Sequence, residues 1–299
     1  MNLYKFHTFR TDYYFPDNVE GGEFLYGLYH PYNRYPLRLL AVKVYWWLYK
    51  HSKMIRRRNL VIDADNDFPY SMIVSMCPQG SILSFNMGTP GPEQKISLLG
   101  LIPNGERFFA KYSTKDGAKA LSRNEIKVLS MLRGSGLAPE LYDYKENSDY
   151  VFFRTSCVEG SNPKNITLDL KILELAIRIG QYGVRDGELN TCLSHGDFTP
   201  WNIIVTSSGE YRMIDWEMAD ERELGYDVFT YVTHVGALLS PDVSALHLIN
   251  DSKSILDKYF SVFGVYDWIP YMKAFAKRII KYETSKGNLN NAQKYECLL

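Results

Sequence analysis

The sequence predicts an α+β protein with two lobes, in which a small antiparallel sheet precedes a mainly helical part. Three apolar or alternating runs at residues 82–87, 95–102 and 107–112 are joined by turns rich in glycine, proline and asparagine, which is typical of paired strands. Apolar residues then recur at helical spacing over residues 168–185 and again further along the chain. A chain of 299 residues is long enough to bury a core in each of two lobes.

Charge and cysteine content argue against several classes of protein. The 34 basic and 34 acidic residues leave no net charge, so no overall field attracts nucleic acid. The four cysteines lie far apart, which argues against a zinc site and a disulfide framework. The chain begins without an apolar export signal, and no run reaches 18 apolar residues. We therefore expect a cytoplasmic protein without a nucleic-acid partner.

The strongest chemical signal lies in residues 194–217. Asp197 and Asn202 are separated by four residues, and an apolar run follows directly. A turn at residues 206–210 and a returning strand then place Asp215 beside the same loop. Phosphoryl transfer needs a group that orients the attacking hydroxyl and oxygen ligands for Mg²⁺. These three side chains supply that set.

This stretch resembles the aminoglycoside phosphotransferase and choline kinase family, small-molecule kinases with a two-lobed protein-kinase-like fold. The matching motifs are H-G-D-x-x-x-x-N at residues 195–202 and I-D-W-E at residues 214–217. The resemblance implies that Asp197 is the catalytic aspartate, that Asn202 and Asp215 bind Mg²⁺, and that ATP is the phosphoryl donor. Together the motifs form a specific signal, whereas His-Gly-Asp alone is usually a turn.

Three neighbouring residues refine this hypothesis. Gly196 stands where protein kinases have arginine, and the run between Asp215 and Asp227 is short, so a switched activation loop and a protein substrate are disfavoured. His195 is predicted to shape the loop by hydrogen bonding rather than to shuttle protons. Asp227, in a Gly-x-Asp segment similar to the family's anchoring region, is predicted to be structural.

The first lobe carries the predicted nucleotide-binding residues. The turn that contains Gly88, Thr89 and Gly91 is expected to lie over the phosphates, although the pattern G-x-G-x-x-G is absent and a plain hairpin is the alternative. The resemblance implies that Lys111, on the third strand, binds the phosphates and is paired with Glu125 on the next helix. Taken alone, such a lysine and glutamate are usually surface residues, so the prediction rests on their order in the chain.

The same resemblance predicts where the chain passes from one lobe to the other. The chain is expected to cross between the lobes near Ser156 and Val158, where backbone groups would bind the adenine. The predicted division is an N-terminal extension of unclear role at 1–75, a kinase-like N-lobe at 76–156, and a helical C-lobe with the catalytic loop at 157–299. The polar tail after Gly287 is expected to fray.

The N-terminal extension is rich in tyrosine and is expected to be irregular structure held by aromatic packing. A helix is predicted from Leu37 to Ile55, with basic residues on another face and a basic cluster up to residue 58. Residues 37–58 would therefore suit peripheral contact with a membrane. The favoured interpretation is an amphipathic helix packed on its own domain.

The predicted function is ATP-dependent transfer of the γ-phosphoryl group to a hydroxyl of a small molecule. A sugar or glycan precursor is the first choice of acceptor, and an aminoglycoside or amino alcohol is the alternative. The competing hypothesis is a catalytically inactive pseudokinase that serves as a nucleotide-binding or membrane-surface scaffold.

Overall fold

In the computed structural model, the chain divides into two compact units. The first comprises Met1–Ile126 and Leu141–Cys157, and the second comprises Lys127–Glu140 and Val158–Leu299. The structure describes residues 3–8, 10–16, 23–28, 40, 44, 47, 48, 51, 52, 54, 60, 61, 63–164, 167–239 and 242–299. The helix predicted over residues 37–55 and the basic cluster that follows it lie mostly outside the described residues. Among the described helices, none combines the length and apolar character needed to cross a membrane.

The first unit is built on an eight-stranded antiparallel sheet with the order β3-β1-β2-β4-β5-β6-β8-β7. Its strands are β1 Leu3–His7, β2 Asp12–Pro16, β3 Leu60–Val61, β4 Ile82–Asn86, β5 Ile96–Leu101, β6 Arg107–Ser113, β7 Leu141–Glu146 and β8 Val151–Ser156. The three strands predicted between residues 82 and 112 are present. Strands β1 to β3 come from the segment that was expected to be irregular. Aromatic side chains favour strands when they pack on a half-buried sheet, and the aromatic side chains of β2 pack in this way.

One face of this sheet is covered by α1 (Tyr70–Met76). The helix and the residues before it share a buried cluster with alternate residues of the strands. Phe68 lies 5.1 Å, ring centre to ring centre, from Phe85 of β4 and 4.8 Å from Tyr14 of β2. The N-terminal segment therefore contributes both strands and a buried layer to the first unit.

The opposite face of the sheet contacts α2 (Asp116–Met131). Ser113 Oγ of β6 lies 2.7 Å from Ser122 Oγ of the helix, and both residues are buried. The side chain of Lys111, two residues earlier on the same strand, also points to this helix. The sheet thus separates the layer that contains α1 from the layer that contains α2.

The second unit is mainly helical. Its helices are α3 Leu170–Gly180, α4 Tyr226–Thr230, α5 Gly236–Leu239, α6 Ala245–Asp251, α7 Lys253–Val262, α8 Ile269–Ser285 and α9 Leu289–Gln293, and a π-helix spans Tyr231–Val235. Its strands are β9 Thr191–Ser194, β10 Ile203–Val205, β11 Tyr211–Met213 and β12 Asp220–Glu223, paired as β9 with β12 and β10 with β11. Asp169 caps α3 by accepting hydrogen bonds from the backbone amides of Lys171 and Ile172.

The C-terminal tail is ordered, contrary to the predicted fraying. It forms α9 and a 3₁₀ turn at Glu296–Leu298. Ala292, Tyr295 and Leu298 are buried, and they recur at a spacing of three residues, so one side of the tail packs on the unit. Burial of these side chains outweighs the polar character that dominates the sequence of the tail.

Candidate active site

The loop between β9 and β10 holds Asp197 and Asn202 against each other. Asn202 Nδ2 donates to Asp197 Oδ2 at 2.9 Å and to the Asp197 backbone oxygen at 3.0 Å. Asn202 is 7 % exposed and lies in a 3₁₀ turn, Pro200–Asn202, immediately before β10. The four-residue spacing therefore folds the two side chains into direct contact.

Asp215 joins this pair through the β10–β11 hairpin. Ile203 pairs with Met213, and the Ile214 amide donates to the Asn202 carbonyl at 2.9 Å. Asp215 has φ 66° and ψ 57°, the left-handed conformation that a residue with a Cβ rarely adopts. Among the described residues other than glycine, it alone has a positive φ. Such strain is typical of functional positions, because the surrounding structure must enforce it.

His195 is a buried, neutral residue that shapes the loop. Its Nε2 lies 3.0 Å from the Ile214 carbonyl oxygen, and its Nδ1 accepts a hydrogen bond from the Asp197 amide at 3.3 Å. Since a carbonyl only accepts and an amide only donates, these partners select the tautomer with its proton on Nε2. The ring also packs edge-on against Trp216, with 4.7 Å between ring centres. This geometry agrees with the structural role predicted for His195.

Asp227, in the first turn of α4, anchors the start of the loop. Its carboxylate accepts hydrogen bonds from Ser194 Oγ at 2.6 Å, the His195 amide at 2.7 Å and the Gly196 amide at 3.0 Å. The residue is 6 % exposed, so these donors replace the water that a free carboxylate would bind. The arrangement is that of the structural anchor predicted from the sequence.

Gly196 is required by the close approach of the chain. A Cβ there would lie 2.2 Å from the Met218 carbonyl oxygen and 2.3 Å from a guanidinium nitrogen of Arg222, and φ is +84°. Arg222 itself donates to the Met218 carbonyl at 2.8 Å. The position that is arginine in protein kinases therefore has no space for a side chain here.

The Asp197 carboxyl lies in an environment that disfavours its charge. Burial raises its pKa above the usual range, and the neighbouring Asp215 carboxylate acts in the same direction. The hydrogen bond that Asn202 donates, and the charge of His234, act in the opposite direction without cancelling the rise. A raised pKa makes this carboxylate a better proton acceptor than an exposed aspartate.

The donor set at Asn202 and Asp215 fits Mg²⁺. The Asn202 amide nitrogen is directed to Asp197, which leaves the amide oxygen on the other side, and no described residue donates to that oxygen. An amide oxygen and a carboxylate are the hard oxygen ligands that Mg²⁺ prefers. The Asp215 carboxylate contributes to the raised pKa of Asp197, and two acidic groups this close together also favour a bound cation.

The first unit contains the second predicted pair. Lys111 Nζ lies 2.6 Å from Glu125 Oε2, and each side chain is 5 % exposed. Lys111 is on β6 and Glu125 on α2, so the predicted order of strand lysine and helix glutamate produces a buried ion pair. An ammonium in such a setting keeps a defined position, which a phosphate-binding lysine needs.

The other predicted residues lie in loops and at the end of a strand. Gly88 has φ +69° and its amide donates to Asn86 Oδ1 at 2.9 Å, whereas Thr89 is exposed and Gly91 is partly exposed. Ser156 is the last residue of β8, and Val158 follows it in an irregular stretch. None of these contacts assigns a ligand, so their roles stay predictions.

The sequence did not single out Asn162 or the π-helix. Asn162 Nδ2 donates to the carbonyls of Trp201 and Ile203 at 2.9 Å and so braces the loop from outside. Tyr231 begins the π-helix and lies 5.8 Å, ring centre to ring centre, from Phe198 beside the predicted catalytic aspartate. A long-range asparagine contact and a π-helix have no local sequence signal, and only a family alignment of this region would find them.

Comparison with known proteins finds phosphotransferases that are similar to this chain. The model of a phosphotransferase enzyme family matches residues 168–249, the segment that carries the loop and the Asp-Trp-Glu motif. Crystal structures of an aminoglycoside phosphotransferase, APH(4)-Ia, and of a macrolide 2′-phosphotransferase, MphH from Brachybacterium faecium, are among the solved structures that match this chain. The first has 12 % identity over 79 % of this chain and 98 % of its own, with a TM-score of 0.50. The second has 10 % identity over 77 % and 98 %, with a TM-score of 0.46.

A comparison with curated proteins found no match. The predicted resemblance is confirmed by the family match, and the kinase-like α+β fold is confirmed by the likeness to the first structure. The class of enzyme predicted from the loop, a phosphotransferase with an alcohol group as acceptor, is confirmed by the same family match.

Proposed function

We propose that the protein transfers the γ-phosphoryl group of ATP to a hydroxyl of a small molecule, with Asp197 as the catalytic aspartate. The observation that carries the proposal is the contact of Asp197 with Asn202, beside an Asp215 held in a strained conformation. These are the groups that phosphoryl transfer requires, and the loop anchored by Asp227 keeps them together.

Each predicted residue has a defined part in this proposal. Lys111, positioned by Glu125, binds phosphate oxygens of ATP, and the turn at residues 88–91 covers the phosphates with backbone amides. The backbone near Ser156 and Val158 binds the adenine. All of these roles concern binding and orientation, which account for most of the catalysis in this kind of reaction.

Asn202 and Asp215 would hold Mg²⁺ through oxygen atoms. When bound, the ion supplies positive charge that neutralises the phosphates. The residues of the chain do the rest. The acceptor hydroxyl oxygen forms a bond to the γ-phosphorus, the bond from phosphorus to the bridging oxygen breaks, and ADP leaves. The hydroxyl proton passes to the Asp197 carboxylate, whose raised pKa suits it to accept that proton.

For the acceptor we propose a neutral molecule rich in hydroxyl groups, such as a sugar. A cavity of about 370 Å³ in the second unit is lined by His234 of the π-helix, Asp242 and Lys294, and its further polar lining residues include Thr233, Ser244, Asn291, Gln293 and Tyr295. His234 is close enough to Asp197 to affect that carboxyl. One acidic and one basic side chain balance each other, and the amides and hydroxyls suit hydroxyl groups better than a polycation. An aminoglycoside would require an acidic excess.

The test is Mg²⁺-dependent release of ADP from ATP across neutral sugars, amino alcohols and aminoglycosides. We expect turnover with a neutral sugar and a loss of about 10²-fold or more in Asp215→Asn. Asp220→Asn, which changes an exposed carboxylate on β12, is the matched control and keeps full activity. Turnover that continues unchanged in Asp215→Asn would refute the site. ATP binding without turnover on any acceptor would favour the pseudokinase scaffold instead.

A further inference from the structure

One outer edge of the eight-stranded sheet is formed by β7, which pairs with β8 alone among the described strands. The turn after β7 shows which way its backbone groups point, because the Asn147 amide donates to the Tyr150 carbonyl oxygen at 3.0 Å and so faces β8. These directions alternate along a strand, so the backbone groups of Lys145 and Asp143 also face β8, whereas those of Tyr144 point away from the sheet. Tyr144 thus presents an N–H and a carbonyl group to a further strand.

The side chains of this edge are accessible and alternate in character. Tyr144 is 52 % exposed and points to one face of the sheet, while Asp143 and Lys145 point to the other. Arg154 Nε donates to Asp143 Oδ1 at 2.9 Å, yet the Asp143 side chain is still 44 % exposed. Lys145 is exposed and has no carboxylate partner among the residues that the structure describes. The edge therefore carries one exposed aromatic side chain between an acidic and a basic one.

One register of antiparallel self-pairing satisfies both the backbone and the charges of this edge. With Tyr144 opposite Tyr144 of a second copy, these two residues exchange their outward hydrogen bonds, and Asp143 lies opposite Lys145 on both sides of the axis. The neighbouring registers with the same hydrogen-bond phase place Asp143 opposite Asp143 or Lys145 opposite Lys145, and like charges directly opposite each other destabilise a strand pair. Charged residues usually protect an edge strand from pairing. Here their order disfavours the other registers and leaves this one.

We propose that β7 pairs with β7 of a second copy of this chain about a two-fold axis through Tyr144. The same residues serve both copies, so assembly through this contact closes at the dimer. In the dimer, Asp143 lies between Arg154 of its own chain and Lys145 of the second copy, and the two Tyr144 rings form a cross-strand aromatic pair. A bulge at one end of β7 and a tight turn at the other limit the edge to a few residues, so the dimer is weak and reversible. The proposal does not depend on the proposed phosphotransfer.

The test is sedimentation velocity of the full-length protein from about 5 µM to about 500 µM, a range that covers weak dimers. We expect a reversible equilibrium between monomer and dimer in the wild type. Lys145→Glu places two acidic side chains opposite each other on both sides of the axis and should raise the Kd of the dimer about tenfold or more. Lys277→Glu, the same change at an exposed lysine of α8, is the matched control and leaves the Kd unchanged.

A mixture of two variants tests the register. Asp143→Lys places two lysines opposite each other and should weaken the homodimer as Lys145→Glu does. Mixed in equal amounts, the two variants again have opposite charges at both positions, and they should form a heterodimer with a Kd near that of the wild type. If Asp143→Lys does not fold, Tyr144→Pro takes its place, because it removes the outward amide without removing a hydrogen bond to β8, and it should abolish the dimer.

One further variant separates this contact from the active site. Asp215→Asn should dimerise like the wild type, whatever the outcome of the turnover assay. The proposal is overturned if the wild type stays monomeric over the whole concentration range, or if Lys277→Glu weakens the dimer as much as Lys145→Glu. It is also overturned if the two folded charge variants form no heterodimer, or if folded Tyr144→Pro still dimerises.

Discussion

The buried Lys111–Glu125 pair predicts a sharp pattern of stability changes. At 2.6 Å and an effective dielectric constant of about 20, the attraction is about 6 kcal/mol, and much of it offsets the cost of burying both charges. Lys111→Met leaves a buried carboxylate without its partner, and Glu125→Leu leaves a buried ammonium. Each should destabilise the first unit by about 3–5 kcal/mol. The double variant removes both charges and should lie within about 1 kcal/mol of the wild type.

The assay is equilibrium urea unfolding followed by circular dichroism, combined with ADP release. All three variants should lose activity. The double variant should regain the stability of the fold, but it still lacks the ammonium that is proposed to bind phosphate. The matched control is the exposed pair Arg123–Glu146, whose side chains are 48 % and 41 % exposed. Its single variants should cost less than about 1 kcal/mol. The reasoning fails if the Lys111 and Glu125 single variants cost as little as the control, or if the two costs simply add in the double variant.

Two further predictions concern the catalytic loop. Asp197→Asn should lower turnover by about 10²-fold or more and, at pH 7, raise the midpoint of thermal unfolding. Because the folded-state pKa of Asp197 is raised, the stabilising contribution of the protonated carboxyl is lost as pH rises through that pKa, and a neutral amide avoids the loss. The gain should shrink below about pH 4, and a less stable variant at pH 7 would contradict the argument. Asp227→Asn replaces a carboxylate that accepts hydrogen bonds from backbone amides with a side-chain amide, which has only one oxygen. The free energy of unfolding in urea should fall by about 2–3 kcal/mol, and turnover should fall as well. An unchanged unfolding midpoint would show that Asp227 does not anchor the loop.

The contacts around this loop also explain how the candidate site tolerates unfavourable local structure. Asp215 adopts a left-handed conformation and Asp197 is a partly buried carboxylate with a raised pKa, and both features cost stability. Their cost is offset by the three hydrogen bonds to Asp227 and by the buried His195, which bonds to the backbone on both sides. We therefore expect the anchoring residues to matter for activity although we assign them no contact with substrate.

The sequence by itself determined the local structure of the loop that carries Asp197 and Asn202, and much of the fold. A fixed spacing of Asp197 and Asn202, a turn and a returning strand are local features, so the β10–β11 hairpin and the placement of Asp215 follow from short-range geometry. The strands from residue 82 onward and α2 were likewise readable from periodicity. The order of strand lysine and helix glutamate was enough to predict a pair, though not its burial.

Only the tertiary structure decided the rest, because those features depend on contacts between residues far apart in the chain. The N-terminal strands exist because β2 pairs with β4 about seventy residues later, and no local pattern of residues predicts such pairing. The tail is ordered because Tyr295 and Leu298 find a buried surface. The position of Asn162 against the loop and the charge balance of the cavity in the second unit likewise arise from side chains that only the folded chain brings together.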